Sequence, residues 1–155
     1  SQQEIGIRHQ ASGRKSGIRP VDRAACDPQG ARMRNYRKLV VWSRAKDLTV
    51  SIYELTRSFP RDERFGLTAQ ARRAAISIVS NIAEGAARRS DKEFARYLDI
   101  ALGSVAELQA QLDVALALGF STEATNEGPA KQVIEVKKML SGLLVAVTKR
   151  LPSQN

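Results

Sequence analysis

The chain has one cysteine and one histidine among its 155 residues, and both, Cys26 and His9, lie in the N-terminal segment. A lone cysteine excludes a disulfide within the chain and a metal cluster built from cysteines. A lone histidine outside the periodic part of the sequence argues against a histidine-centred catalytic triad or a zinc site. We therefore expect no catalytic residue, no metal, no cofactor and no enzymatic activity.

Aromatic residues make up only 5% of the chain, and no apolar run is long enough to cross a bilayer. The N-terminus has no apolar signal core. Few aromatic residues combined with much alanine and leucine favour helices packed on helices over a sheet sandwich. The length fits one domain with a sizeable core, and we expect a soluble cytoplasmic protein with no membrane partner.

Acidic residues are too few to balance the basic ones, since 25 Lys and Arg stand against 16 Asp and Glu, for a net charge of +9. Such a surplus suits binding to RNA or DNA; the alternative is an ordinary solvated basic surface. Residues 1–32 carry six basic and three acidic side chains and no packing face. We predict a flexible basic N-terminal extension at 1–32, either a nucleic-acid arm or a disordered tail, a bundle domain at 33–152 and a C-terminal tail at 153–155.

Apolar residues recur at three- and four-residue steps along four segments, which predicts an all-α protein with four helices. Short connections between them predict an antiparallel up-down four-helix bundle. The expected core positions are Trp42, Ala45, Leu48, Ile52, Leu55 and Phe59 in the first helix, Leu67, Ala71, Ala74, Ala75, Ile78 and Ile82 in the second, Phe94, Leu98, Ala101, Val105, Leu108, Leu112 and Ala115 in the third, and Val133, Val136, Leu140, Leu143 and Val147 in the fourth.

Proline, glycine and capping residues set the predicted helix boundaries. Pro60 ends the first helix and Gly119 ends the third. Ser90 begins the third helix as part of a capping box, in which Glu93 reaches back to the serine amide. Pro129 marks the start of the fourth helix because proline suits a first helical turn. The predicted helices span residues 36–58, 62–87 with an irregular turn near Gly66, 91–118 and 129–151.

A line of polar side chains, the polar seam, runs along the second helix beside its apolar face. Unpaired buried polar groups cost about 1–3 kcal/mol each, so the seam needs a facing partner. An antiparallel third helix would place Arg73 by Glu107, Glu84 by Arg96 and Ser77 by Gly103. We expect both charged pairs within the chain, with strong destabilisation by Glu107→Ala; the alternative is that Arg73 and Glu107 face a neighbouring subunit. The seam residues are Gln70, Arg73, Ser77, Asn81 and Glu84.

Clustered arginines and lysines are the candidates for phosphate contacts, because guanidinium groups match phosphate oxygens. Tyr36 and Trp42 lie among the basic residues that begin the first helix, where aromatic rings can stack on unpaired bases. At its helical spacing, Trp42 is more typical of a core or interface position. The candidate nucleic-acid-binding residues are Arg34, Arg37, Lys38, Arg44, Arg72, Arg88 and Arg89.

Several motifs in order resemble the four-helix-bundle family encoded by intervening sequences within bacterial 23S ribosomal RNA genes. The resemblance covers about residues 34–151, and its motifs read LVVW (39–42), IYELT (52–56), FP (59–60), ERFGL (63–67), QARRAA (70–75), SNIAEG (80–85) and LDIALGSVAEL (98–108).

The resemblance implies an up-down bundle that assembles as a homopentamer and has no established catalytic residues. It also implies similarity to the accessory variability determinant of diversity-generating retroelements, a basic pentameric barrel that binds nucleic acid and associates with a reverse transcriptase. The preferred interpretation is a non-enzymatic oligomer that binds RNA or DNA through backbone phosphates. The alternative is an adaptor that recruits a reverse transcriptase.

Overall fold

A computed structural model describes residues 33–153, so the predicted extension at 1–32 and the last two residues lie outside the described part of the chain. Within it there are helices and no strands. Four long helices are present: α1 (Val40–Thr56), α2 (Leu67–Ala86), α3 (Asp91–Ala117) and α4 (Glu123–Thr148). Two short 3-10 helices, Tyr36–Lys38 and Arg61–Phe65, precede α1 and α2.

The first predicted helix is divided near its start. Tyr36–Lys38 form a 3-10 turn that Asn35 caps, because the Asn35 side chain accepts a hydrogen bond from the amide of Arg37. Leu39 then adopts an extended backbone conformation and serves as the N-cap of α1. The regular helix therefore begins at Val40 and ends at Thr56, two residues before the predicted end.

The irregular turn predicted near Gly66 is a complete break between Arg61–Phe65 and α2. Gly66 has a non-helical backbone and provides no side chain to cap α2. A carboxylate oxygen of Glu63 fills that role by accepting a 2.8 Å hydrogen bond from the amide of Leu67. A negative charge at this position also suits the positive end of the helix dipole.

The third helix begins as predicted. The Ser90 hydroxyl oxygen accepts a hydrogen bond of 3.2 Å from the Glu93 amide. The Glu93 carboxylate accepts a 3.2 Å hydrogen bond from the Ser90 hydroxyl, not from the Ser90 amide as predicted. Gly119 follows the helix with a φ of +73°, in the left-handed region that glycine tolerates best.

The predicted start of the fourth helix at Pro129 is wrong, because α4 begins at Glu123. Thr122 and Thr125 form a capping box, with each side chain bonded to the amide of the other residue. Pro129 therefore lies buried inside the helix. It removes the hydrogen bond that a residue here would donate to the carbonyl of Thr125, and a proline ring also crowds the carbonyl four residues earlier.

Each long helix packs against two others, α1 with α2, α2 with α3, α3 with α4 and α4 with α1. This arrangement is a four-helix bundle around a single apolar core. The predicted core is confirmed at every position except Trp42, Leu67 and Leu143, which are half-buried at the edge of the core. Its largest fully buried side chains are Phe94, Leu48, Ile52, Ile78, Ile82, Leu98, Leu108 and Leu140.

Among the described helices, α3 is long and apolar enough to cross a membrane by length and composition alone. The sequence predicted no apolar run of that length. Its apolar heptad positions are all buried in the bundle core, and a core helix with this composition passes the same test.

Candidate nucleic-acid interface

The middle of the polar seam is satisfied within the chain. The hydroxyl oxygens of Ser77 on α2 and Ser104 on α3 are 2.7 Å apart. The amide nitrogen of the Asn81 side chain donates to the Ser77 carbonyl at 2.8 Å and to its hydroxyl at 3.0 Å. The facing residue is therefore Ser104 and not Gly103, which is exposed with open space where a side chain would stand.

The predicted pair between Glu84, at one end of the seam, and Arg96 does not form. The Glu84 carboxylate accepts hydrogen bonds from Arg88, at 2.6 Å, and from the Tyr97 hydroxyl, at 3.0 Å. The guanidinium of Arg96 lies 5.8 Å from the centre of the Tyr97 ring. Gly85 permits this close arrangement, because a Cβ atom there would lie 2.7 Å from the Cβ atom of Tyr97.

At the other end of the seam, Gln70 and Arg73 are exposed, as is Glu107 on α3. The predicted pair between Arg73 and Glu107 does not form within the described chain: no ion pair joins them, and Glu107 accepts a hydrogen bond from Gln111 instead. Removal of an exposed carboxylate changes stability little. The pair on which the expected strong destabilisation by Glu107→Ala rested is therefore absent from the described chain.

Arg34 ties the segment before α1 to the connection between α2 and α3. Its backbone amide donates to the carbonyl of Ala86 at 3.0 Å, and its guanidinium forms an ion pair with Asp91. The same guanidinium lies 4.5 Å from the centre of the Phe94 ring. Burial lowers the pKa of Arg34 below its ordinary value, and the nearby positive charge of Arg150 lowers it further. The segment before α1, the α2–α3 connection and the end of α4 therefore meet at one end of the bundle.

The charge at this end, which we call the basic end, is strongly positive. Residues 33–39, 86–93 and 148–153 contain eight basic side chains and only two acidic ones, Asp91 and Glu93. The opposite end, the neutral end, is identified by the contact between Phe59 and Phe120, whose ring centres are 5.9 Å apart. Residues 57–66 and 118–124 there contain three basic and three acidic side chains. The basic side chains of the basic end are Arg34, Arg37, Lys38, Arg88, Arg89, Lys92, Lys149 and Arg150.

Five of the seven predicted phosphate-binding residues meet at the basic end. Arg37 and Lys38 are exposed, with no ion pair to any described acidic residue. Arg89 is exposed in the α2–α3 connection.

Arg34 is paired with Asp91, and Arg88 bonds to Glu84 and Tyr97. The pKa of Arg88 is raised, first by its hydrogen bond to Glu84 and then by its interaction with the Tyr97 hydroxyl.

The other two predicted residues, Arg44 and Arg72, lie away from this cluster. Arg44 forms an ion pair of 3.2 Å with Glu135 across α1 and α4. Arg72 donates to the hydroxyl of Thr56, the last residue of α1, at 2.9 Å. Its guanidinium lies 4.6 Å from the centre of the Tyr53 ring. Arg72 is therefore directed toward the neutral end and is held by α1.

Lys92 was not among the predicted residues, and Lys149 and Arg150 were not linked to the first helix. An up-down order of helices brings the end of α4 beside the start of α1, and that order was the available signal.

The described residues contain no group of three His, Cys, Asp or Glu side chains able to hold a metal ion.

A pair of aromatic rings lies beside the basic end. The rings of Tyr36 and Trp42 have centres 4.8 Å apart and are inclined by 63°. The guanidinium of Arg37 lies 4.8 Å from the Tyr36 ring, and the ammonium of Lys46 lies 5.7 Å from the Trp42 ring. Exposed contacts of this cation–π kind contribute about 0.5–1 kcal/mol. Both rings are half-buried, with Arg37 and Lys46 exposed beside them.

The model of the 23S rRNA-intervening sequence protein family matches residues 37–142 of this chain. That range leaves out three side chains of the basic end, Arg34, Lys149 and Arg150. No curated protein matches the chain.

Among solved structures, the chain is similar to a crystal structure of a protein with unknown function from the S23 ribosomal protein family of Bacteroides thetaiotaomicron. The two are 24% identical, and the alignment covers 68% of this chain and 98% of the other, with a TM-score of 0.62. At this identity the likeness concerns the fold.

Proposed function

Because this chain belongs to the 23S rRNA-intervening sequence protein family, we propose that it is a non-enzymatic bundle that binds RNA or DNA through backbone phosphates. The observation that carries this proposal is the unequal charge of the two ends. Eight basic side chains against two acidic ones at the basic end favour a polyanion. The neutral end, with equal numbers of each, has no such preference.

Phosphate contacts need cations that water can reach. Arg37 and Lys38 meet this requirement most directly, since both are exposed and project from a short turn. Arg34 and Arg88 keep their positive charge and hold further donor groups at the same end, although each already bonds to a carboxylate. No base-reading element is required, so we propose binding that depends on charge and not on sequence.

We also propose that the helices run antiparallel and that the chain assembles as a homopentamer. Contacts between Ser77 and Ser104 and between Glu84 and Tyr97 support the antiparallel order of α2 and α3, since later residues of one meet earlier residues of the other. The exposed charges of Arg73 and Glu107 support contact with another copy, because their signs are opposite and neither is paired with the other in the chain.

Fluorescence anisotropy with unrelated RNA and DNA oligonucleotides tests the binding proposal. If about four phosphates of a duplex are neutralised, the affinity should fall roughly 150-fold between 50 and 200 mM salt. No binding to either nucleic acid at low salt would contradict the proposal. Light scattering tests the pentamer, and a monomer at micromolar concentration would contradict it.

A further inference from the structure

Four side chains form an aromatic cluster: Tyr36 and Arg37 in the 3-10 turn before α1, and Trp42 and Lys46 near the start of α1. The two rings contact each other, and one cation lies over each ring. We propose that Tyr36 and Trp42 form a stacking site for an unpaired nucleobase, so that the chain prefers single-stranded to double-stranded nucleic acid. This inference rests on the proposed function and assigns it a strand preference.

Local backbone structure holds Tyr36 against Trp42. The side chain of Asn35 accepts a 3.0 Å hydrogen bond from the amide of Arg37, which fixes the 3-10 turn. The amide of Leu39 donates to the carbonyl of Tyr36 at 2.9 Å, and the amide of Trp42 donates to the carbonyl of Leu39 at 3.1 Å. These bonds turn the chain so that a residue outside α1 packs on a residue in its first turn. The rings are thus positioned before any ligand arrives.

The rings of Tyr36 and Trp42 each pack against the core on one side and are accessible to solvent on the other. Both contact the apolar core, and both are only half-buried. The cations over them belong to the exposed residues Arg37 and Lys46, whose side chains form no ion pair with a described acidic residue. The outer surface of the cluster is therefore available to a flat, electron-rich base.

Stacking of a base on an aromatic ring is a stronger contact than the cation–π contact that it would replace. An exposed cation–π contact corresponds to about a two- to fivefold change in an equilibrium constant. Stacking of a base on an aromatic side chain corresponds to roughly 5- to 150-fold in affinity. A base can therefore displace Arg37 or Lys46 from the rings, and the displaced cation can contact the adjoining phosphate. Bases inside a duplex are stacked on each other and cannot make this exchange.

Tyr53 provides a matched control in the same helix. Its ring is also covered by a guanidinium, that of Arg72, at 4.6 Å. Arg72 is held in place by a 2.9 Å hydrogen bond to the Thr56 hydroxyl, whereas Arg37 has no such side-chain bond. Tyr53 also lies toward the neutral end. We therefore expect no stacking of a base on Tyr53.

Trp42 is the only tryptophan of the chain, so its fluorescence reports directly on the site. The full-length protein is titrated at fixed salt with a mixed-sequence RNA of about 12 nucleotides, the DNA of the same sequence, and the duplex of each. We expect about tenfold tighter binding to single strands and quenching of Trp42 by single strands only. The RNA and DNA arms show which single strand is preferred.

Variants separate stacking from phosphate binding. Tyr36→Leu should weaken single-strand binding about five- to tenfold without changing the salt dependence, whereas Tyr36→Phe should keep the affinity. Tyr53→Leu should change nothing. Arg37→Gln should instead lower the slope of log affinity against log salt by about 0.7 for a single strand. Thermal melting checks that each variant is folded.

Equal affinity for single strands and duplexes, with no quenching of Trp42, would overturn the stacking site while leaving phosphate binding in place. A Tyr36→Leu variant that melts normally and behaves like Tyr53→Leu would overturn it as well. Loss of binding to every nucleic acid at low salt would instead overturn the proposed function, and the stacking site with it.

Discussion

Gly85 of α2 lies directly against Tyr97 of α3, where a Cβ atom on the glycine would be 2.7 Å from the Cβ atom of the tyrosine. It would also lie 3.0 Å from a ring carbon of Phe94, which is fully buried. We predict that Gly85→Ala destabilises the protein by about 1–2 kcal/mol, because overpacking outweighs the gain of about 1 kcal/mol in helix propensity. Urea denaturation measures this change in the free energy of unfolding.

Gly103 is the control for that prediction, since nothing lies within 4 Å of the position its Cβ atom would take. Gly103→Ala should raise the free energy of unfolding by up to about 1 kcal/mol through helix propensity alone. The two substitutions should therefore have opposite signs. Equal effects would show that α2 and α3 are not in close contact at Gly85.

The hydrogen bond between Ser77 and Ser104 leads to a second prediction. Ser104→Ala should cost about 0.5–1.5 kcal/mol, because it removes the bond across the helices and leaves the Ser77 hydroxyl with Asn81 as its side-chain partner. Ser80→Ala, on an exposed part of α2, should change the free energy of unfolding by less than about 0.5 kcal/mol. Equal costs for the two variants would show that the seam is not satisfied by α3.

The ion pair between Arg34 and Asp91 leads to a third prediction. Asp91→Asn should lower the free energy of unfolding by about 1–2 kcal/mol, between the values for exposed and buried pairs, because both side chains are partly buried. It should also strengthen nucleic-acid binding, since it removes one of the two acidic groups of the basic end and releases Arg34.

Asp62→Asn is the matched control, since this exposed carboxylate lies at the neutral end. Anisotropy titrations should show tighter binding for Asp91→Asn and no change for Asp62→Asn. A parallel gain in both variants would mean that only the net charge of the molecule matters.

The exposed charges of Arg73 and Glu107 lead to a fourth prediction. If they pair between copies, Arg73→Glu and Glu107→Arg should each weaken the assembly, and the double variant should restore it because the pair is re-formed with its signs exchanged. Each single variant should melt within a few degrees of the wild type when dilute, since both side chains are exposed. Light scattering of all four proteins measures the assembly; unchanged mass in the single variants would exclude this pair from the interface.

The periodic parts of this fold could be predicted from the sequence. The heptad positions of α3 and the serine that caps it depend on local spacing, which is readable without a structure. The start of α4 could not be read in the same way. Gly128-Pro129 is a strong signal for a helix boundary, yet the capping box of Thr122 and Thr125 begins the helix earlier and the proline is accommodated inside it.

The register of α2 against α3 was predicted to within one residue, but the partners of its charged side chains were not. Glu84 had Arg96 as an expected partner across the helices, but it bonds to Arg88, which follows it by four residues just beyond the end of α2. Long side chains choose among several neighbours at similar free energy, so sequence spacing does not decide between them. The basic end was not predicted as a unit, because Arg34, Arg88 and Arg150 come from distant parts of the chain and only the order of the helices brings them together.

Binding of nucleic acid at the basic end predicts different salt dependences for two double variants. Arg37→Gln/Lys38→Gln removes two exposed cations from the basic end, and Arg61→Gln/Arg64→Gln removes the same charge from the neutral end. For duplex DNA, the first should lower the slope of log affinity against log salt by about 1.8, while the second leaves it unchanged. Equal slopes for the two variants would contradict the claim.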